Sequence, residues 1–186
     1  LEEPKISSVT EFKNDLDWFG PTIDGHIFAN ASDNGGITKY EFSIGSSAGL
    51  DDILPWAESD SNSYLADVSS LSEDVTYYSN ARVTDVVGNV VTQSSDGFKM
   101  DITNPILGNI SIGNEYQSDT SKVTYVWSDF DDLHSGIADY QYSLGTESGL
   151  TDVIPRTSFG LNADFASVSI TIGGLSLQNE QTYYGT

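Results

Sequence analysis

The residues best suited to chemistry in this sequence are carboxylates, and they lie closest together at Asp129-Phe130-Asp131-Asp132. Three carboxylates within four residues of a loop can offer the hard oxygen ligands that Ca²⁺ prefers. The spacing is not that of an EF-hand, because Tyr140 stands at the twelfth position, where that loop carries a bidentate Glu. The alternative interpretation is that Asp132 caps a turn through nearby backbone N–H groups and that the other carboxylates are solvated.

Groups for nucleophilic or zinc catalysis are scarce. The chain has no cysteine, which excludes thiol nucleophiles, thiolate metal sites and disulfides. Its two histidines, His26 and His134, stand at positions that do not correspond in the repeat described below. No P-loop or HExxH pattern is present. The sequence therefore predicts a protein that is not an enzyme.

The overall charge restricts the partners. Twenty-eight Asp and Glu against seven Lys and Arg give a net charge of −21. A surface of this sign repels the phosphates of nucleic acids and anionic headgroups, so we expect no nucleic-acid partner. No apolar run approaches the ~20 residues that a membrane-spanning helix needs, so we expect no membrane insertion. The dispersed acids fit either a solubilising coat or the capture of divalent cations.

An internal repeat shows how the chain is organised. Residues 36–55 read GITKYEFSIGSSAGLDDILP, and residues 136–155 read GIADYQYSLGTESGLTDVIP. Gly36 and Gly136 begin the two copies, which run without a gap. A period of this length exceeds that of solenoid repeats and suits a whole β-sandwich domain. We therefore predict two modules, 1–104 and 105–186, joined by a short, stiff segment that ends at Pro105.

The strands that would build these modules are visible as alternating patterns. Tyr40, Phe42 and Ile44 alternate with polar residues, and Tyr140, Tyr142 and Leu144 repeat the pattern. Further alternating sets include Val123, Tyr125 and Trp127 in the second module and Tyr77, Ala81 and Val83 in the first. A Gly88-Asn89 pair after Asp85 indicates a hairpin turn. No segment has sustained helical periodicity, so the predicted class is all-β with antiparallel strands.

Several motifs carry a family resemblance. The second module supplies Trp127, Asp132, Ser135-Gly136-Ile137, Tyr140-Gln141-Tyr142-Ser143, Gly145, Gly149, Asp152 and Pro155. The first supplies Trp56, Leu71, Tyr77-Tyr78, Ala81, Asp85, Gly88-Asn89, Ser95-Asp96-Gly97, Asp101 and Thr103. This combination resembles the fibronectin type III/immunoglobulin-like repeats of large secreted or cell-surface bacterial proteins of the adhesin type. The resemblance implies tandem antiparallel β-sandwiches with structural roles for Trp127, Gly36 and Gly136.

Within this fold we expect Tyr77 and Tyr183 to act as tyrosine corners. Each precedes a strand and follows a leucine, Leu71 or Leu177, at the sixth position back. In sandwich domains such a tyrosine uses its hydroxyl to bond upstream backbone. The second copy stops at Tyr184-Gly185-Thr186, level with Tyr78-Ser79-Asn80, so we expect that module to lack its last strand. Either further chain or a second chain would then supply that strand.

The resemblance also implies where the protein works. Such repeats are found in proteins exported from Gram-negative bacteria, which predicts an extracellular or cell-surface location. The first hypothesis is a stalk or spacer that takes part in adhesion, with neighbouring modules and a cell-surface protein or polysaccharide as partners. The second is an accessory module of a secreted polysaccharide-degrading enzyme, with Trp56, Tyr78 or Tyr184 as sugar-stacking platforms. Calcium is the one cofactor that the sequence suggests, at Asp129, Asp131 and Asp132 or at Asp101 in the junction.

Overall fold

The computed structural model describes residues 2–11, 15, 17–20, 25–160 and 167–186. All regular secondary structure in these residues is β-strand, which confirms the predicted class. The described residues contain no helix long and apolar enough to span a membrane. The chain divides into two compact units, Leu1–Ile102 and Thr103–Thr186, called here the first and second units.

The described residues of the first unit form nine strands in two sheets. Its strands are β1 (Lys5–Glu11), β2 (Trp18–Phe19), β3 (Gly25–Ser32), β4 (Ile37–Gly45), β5 (Leu54–Ser59), β6 (Ser63–Ala66), β7 (Thr76–Asp85), β8 (Val90–Ser94) and β9 (Phe98–Met100). One sheet has the order β1-β3-β6, and the other has the order β2-β9-β7-β4-β5, with β8 also paired to β7. Side chains from both sheets join one buried cluster, which makes this unit a β-sandwich.

The second unit is built in the same way from six described strands. They are β10 (Asn109–Ile112), β11 (Lys122–Ser128), β12 (Gln141–Gly145), β13 (Ile154–Ser158), β14 (Ser167–Gly173) and β15 (Tyr184–Gly185). The sheets have the orders β10-β11-β14 and β13-β12-β15. A second buried cluster joins them, with Val123, Tyr125 and Trp127 from one sheet and Tyr142 and Leu144 from the other.

The alternating patterns lie in the predicted register. Phe42, Ile44, Tyr142 and Leu144 are buried, and Tyr40 packs partly buried against the first core. On the opposite face, Glu41 accepts hydrogen bonds of 2.8 and 2.9 Å from Arg82, whereas Ser43 and Ser143 are buried. Because side chains alternate between the faces of a strand, a slip of one residue would reverse this arrangement.

The turn that follows the repeated strand has the same hydrogen bonds in both units. Asp52 accepts bonds from the backbone N–H of Ser46 at 2.9 Å and from its hydroxyl at 2.7 Å. Asp152 accepts the corresponding bonds from Thr146 at 2.9 and 2.8 Å. The strongest part of the sequence repeat therefore encodes one hairpin that occurs twice.

Glycine is required at the start of this turn because the backbone folds back on itself there. A Cβ built on Gly45 would lie 2.3 Å from the carbonyl oxygen of Leu50. A Cβ on Gly145 would lie at the same distance from the carbonyl oxygen of Leu150. Any larger residue would force the two backbone segments apart, which explains why the glycine recurs.

Two features of the first unit differ from the sequence prediction. Strand β2 pairs with β9 in parallel, through Trp18 with Lys99 and Phe19 with Met100, so the sheets are not purely antiparallel. The alternation of Tyr77, Ala81 and Val83 places Asn80 on the polar face of β7, yet Asn80 is fully buried there, because the β4–β5 turn folds over it. The alternating pattern describes the faces of the sheet and contains no information on what covers them.

Candidate functional site

The Asp129–Asp132 segment follows β11 in the second unit. Asp129 lies in the left-handed region, with φ of 61°. Its Oδ2 accepts hydrogen bonds from Ser128 Oγ at 2.8 Å and from Asn109 Nδ2 at 2.9 Å. These two bonds, that of Ser128 first, lower the pKa of the Asp129 carboxyl below its usual value. Asp129 is thus held as a carboxylate by side chains of its own unit.

Asp132 caps the turn that leads into the repeat. Its Oδ1 accepts hydrogen bonds from the backbone N–H groups of His134 at 3.1 Å and Gly136 at 2.9 Å. In the first unit, Asp33 Oδ1 accepts a bond of 3.0 Å from the N–H of Gly36. Gly36 and Gly136 have φ of 103° and 77°, a conformation that favours glycine. Both units therefore cap the turn before the repeat with an aspartate, three residues before the glycine in the first unit and four in the second.

The structure does not gather the three carboxylates of this segment around one point. Asp131 Oδ1 accepts a bond of 2.9 Å from the backbone N–H of its neighbour, Asp132. Among the residues that the structure describes, Asp129, Asp131 and Asp132 do not bring one oxygen each within 4.8 Å of one another. The turn-capping interpretation accounts for the contacts of Asp132, and calcium binding here stays a prediction.

Asp101, the predicted junction ligand, lies near the end of the first unit. It is 6% exposed, and its backbone N–H donates a hydrogen bond of 2.8 Å to the carbonyl oxygen of Phe19. This bond extends the pairing of β2 with β9 by one residue beyond Met100. The residue thereby helps to fix the last strand of the first unit to its second strand.

The two predicted tyrosine corners make the same contact. The Tyr77 hydroxyl accepts a hydrogen bond of 3.0 Å from the backbone N–H of Ser72. The Tyr183 hydroxyl accepts one of 2.7 Å from the backbone N–H of Gln178. In both units the donor is five residues upstream, so the tyrosine ties the loop before its strand to that strand.

The large aromatic residues have different environments. Trp127 is 4% exposed and packs edge-on against Phe159, with ring centroids 5.4 Å apart, in the second core. Trp56 lies at the surface of the first unit, with the Arg82 guanidinium 4.4 Å from its ring centroid. A cation at this distance covers one face of the indole ring. That face is therefore not open for stacking on a sugar.

A cavity of about 630 Å³ opens in the second unit. Its lining includes the apolar Leu144, Leu177 and Tyr183 and the amide residues Asn114, Gln117, Gln178, Asn179 and Gln181. Tyr116, which is 86% exposed, also lines it. Amides beside an exposed aromatic ring offer hydrogen-bonding and stacking partners of the kind that sugars use.

A group of carboxylates that the sequence analysis missed lies in the first unit. One oxygen from each of Glu11, Asp15 and Asp96 lies within 4.8 Å of the others. Glu11 ends β1, whereas Asp96 lies between β8 and β9, so the residues are far apart in the sequence. The one available signal was a Glu at an inward-facing position of a strand, two residues after the buried Val9.

Comparison with known proteins gives a structural likeness only. No family model and no curated protein matches the sequence. Among solved structures, the crystal structure of the FN1–FN3 domains of chicken CNTN1 aligns with 98% of this chain at 12% identity and a TM-score of 0.47. The aligned chain spans 58% of that structure's length. Function therefore has to be argued from the residues of this chain.

Proposed function

We propose that this chain is a non-catalytic structural module of a large exported bacterial surface protein, where it acts as a stalk or spacer and contributes to adhesion. The observation that carries the proposal is the duplicated hairpin, with the same aspartate cap, the same close glycine and the same tyrosine contact in each unit. Repeating one fold lengthens a protein without adding a new site. The sequence has no cysteine and no P-loop or HExxH pattern, which supports this proposal.

The strand order of the first unit suits a load-bearing role. The parallel pair of β2 with β9 joins an early segment of the unit to its last strand. Two parallel strands that are pulled from opposite ends of a domain are loaded along their length, so their hydrogen bonds must break together. Such a pair resists extension better than a pair that separates one bond at a time.

Single-molecule pulling of the whole chain between marker domains tests the spacer proposal. We expect the first unit to unfold in one distinct event that releases about 340 Å of contour length, at ~3.4 Å per residue for about 100 residues. A cross-strand disulfide from Trp18→Cys with Lys99→Cys is the matched variant, and its reduced form serves as the control. Extension of the first unit without a distinct force peak, in wild type and crosslinked protein alike, would argue against a load-bearing spacer.

The cavity in the second unit supports a second candidate, an accessory carbohydrate-binding module. The test is binding of the whole chain to an array of bacterial and algal polysaccharides. Saturable binding that is lost in Tyr116→Ala and kept in Leu107→Ala would favour this function over a pure spacer. Leu107 is a suitable control because it is 85% exposed and is not part of the cavity lining. No binding to any polysaccharide would remove this candidate.

A further inference from the structure

The carboxylates of Glu11, Asp15 and Asp96 lie beside an irregularity between β8 and β9 of the first unit. Strands β8 and β9 both pair with β7, through Ser94 with Asn80 and Phe98 with Tyr77. Between these pairs the outer strand has one residue more than β7, which is a β-bulge. Asp96 lies in this bulge and is therefore displaced from the regular alternation of the strand.

Gly97 fixes the shape of the bulge. Its φ is 106°, a conformation that L side chains rarely adopt. A Cβ at this position would lie 3.0 Å from Thr76 Cγ2 and 3.2 Å from the carbonyl oxygen of Tyr77. The backbone on either side of Asp96 is thus held, and its carboxylate is placed beside the end of β1.

Glu11 is the buried member of the group. Its residue is 1% exposed, and its Oε1 accepts a hydrogen bond of 2.6 Å from Ser95 Oγ. Ser95 Oγ is itself fixed, because it accepts a bond of 3.1 Å from the backbone N–H of Ser79. Glu11 Oε2 is buried and has no hydrogen-bond partner. Burying a carboxylate oxygen without a hydrogen-bond partner costs free energy, so we expect a ligand or a proton to bind this oxygen.

The surroundings of the group are negative and rich in oxygen. No described ion pair includes Glu11, Asp15 or Asp96. The Ser79 hydroxyl is buried beside the Glu11 carboxylate, outside hydrogen-bonding geometry. Burial, with the charge of Asp15 as a smaller contribution, raises the pKa of Glu11. Burial first, and then the charges of Asp96 and Asp17, raise the pKa of Asp15.

We propose that Glu11, Asp15 and Asp96 form a calcium site in the first unit. Calcium binds oxygen ligands at about 2.3–2.6 Å, so two ligands on opposite sides of the ion lie up to about 5 Å apart. The oxygens of this group lie within 4.8 Å of one another, which fits that limit. The donors are all hard oxygens, with Glu11 Oε2 unpartnered and Ser79 Oγ nearby, and water would complete a shell of six to eight.

The ion would join the segment that leads into β2 to the bulge that leads into β9. Asp15 precedes β2 and Asp96 precedes β9, and these two strands form the parallel pair. Because the unfolded chain does not bring the three carboxylates together, calcium would bind the folded state alone and stabilise it. This site is independent of the spacer proposal, since calcium would bind in a stalk and in an enzyme accessory module alike.

The test is thermal unfolding of the whole chain at pH 7.5, first stripped of metal and then titrated with CaCl₂ or MgCl₂. At a hundredfold excess over the dissociation constant we expect the melting temperature of the first unit to rise by about 10 °C. Titration calorimetry should give one calcium per chain. Mg²⁺ should have a weaker effect, because it demands a smaller, octahedral shell and gives up its water reluctantly.

The variants locate the site. Asp15→Asn and Asp96→Asn should abolish the calcium response. Asp60→Asn is the control and should keep the response, because this substitution removes one exposed charge from the turn between β5 and β6. Glu11→Gln should raise stability in the metal-free protein and lose the calcium response. An unchanged melting temperature in calcium would overturn the proposal and identify Glu11 as a buried neutral acid. A response that survives Asp96→Asn but is lost in Asp131→Asn would overturn it in favour of the Asp129–Asp132 segment.

Discussion

Tyr77 and Tyr183 each hold a loop to a strand with one hydroxyl, and the cost of removing that hydroxyl is measurable. Tyr77→Phe deletes the acceptor of the Ser72 N–H and leaves the buried ring in place. We expect a loss of about 1 kcal/mol in the free energy of unfolding, the usual net contribution of one hydrogen bond. Urea denaturation of the whole chain measures it, and Tyr183→Phe should have a comparable effect on the second unit.

Tyr64→Phe is the matched control for this prediction. The Tyr64 ring stacks on Phe42 with centroids 6.0 Å apart, but its hydroxyl makes no hydrogen bond to the described residues. Its loss should change stability by less than the loss of the Tyr77 hydroxyl. Equal costs in the two variants would mean that the tyrosine corner contributes packing alone.

Single residues also show the limit of sequence reasoning. Tyr77 could be found because its leucine and its strand lie close to it in the sequence, so a local pattern carries the information. Glu11, Asp15 and Asp96 could not be found, because β7 and the bulge bring them together over more than eighty residues. The Asp129–Asp132 segment was predicted as a site because its carboxylates are close together in the sequence. Residues that are close in sequence need not direct their side chains to one centre.

At the scale of elements, the β4–β5 hairpin is attached to β7 by Asn80. The Asn80 side chain accepts a hydrogen bond of 2.7 Å from the Gly49 N–H and donates one of 2.6 Å to the Leu50 carbonyl oxygen. Asn80→Ala leaves the partly buried Gly49 N–H and Leu50 carbonyl oxygen without these hydrogen bonds. We therefore expect the free energy of unfolding to fall by about 1–3 kcal/mol. The free energy of unfolding in urea, compared with that of Thr84→Ala on the same face of β7, measures it. A loss no greater than that of Thr84→Ala would show that the turn is held by Asp52 without help from β7.

The elements were otherwise predictable where side chains alternate over several residues. Strands β4, β7, β11 and β12 follow the period of two, and the hairpin after Asp85 follows its Gly88-Asn89 pair. The parallel pair of β2 with β9 was not predictable. Trp18-Phe19 is too short to show a period, and its partner lies eighty residues away. Pairing over such a distance depends on the completed core, which local patterns do not describe.

For the whole molecule, the dominant property is its charge of −21. The carboxylates whose pKa is shifted fall into two groups. In the larger group, hydrogen bonds lower the pKa below its usual value, as the Ser46 contacts do for Asp52 and the Thr146 contacts for Asp152. The bonds from Ser121, with Lys122 adding to them, lower the pKa of Asp119 to about 2. In the smaller group, burial raises the pKa of Glu11 and Asp15. The larger group includes residues of both units.

These shifts predict how stability depends on pH. A carboxylate with a lowered pKa binds protons more weakly in the folded state than in the unfolded state, so stability falls as pH falls. For Asp119 this loss runs from pH ~3.8 to about 2. Protonation also relieves the repulsion among the carboxylates, which would stabilise the protein at low pH. Because 0.15 M salt screens charges more than ~8 Å apart, the local hydrogen bonds should dominate the pH dependence at that salt concentration. We therefore expect the free energy of unfolding, measured in urea from pH 8 to pH 2 at that salt concentration, to decline steadily below pH ~4. A protein that grows more stable from pH 4 to pH 2 would show that mutual repulsion, and not the capped turns, controls its response to acid.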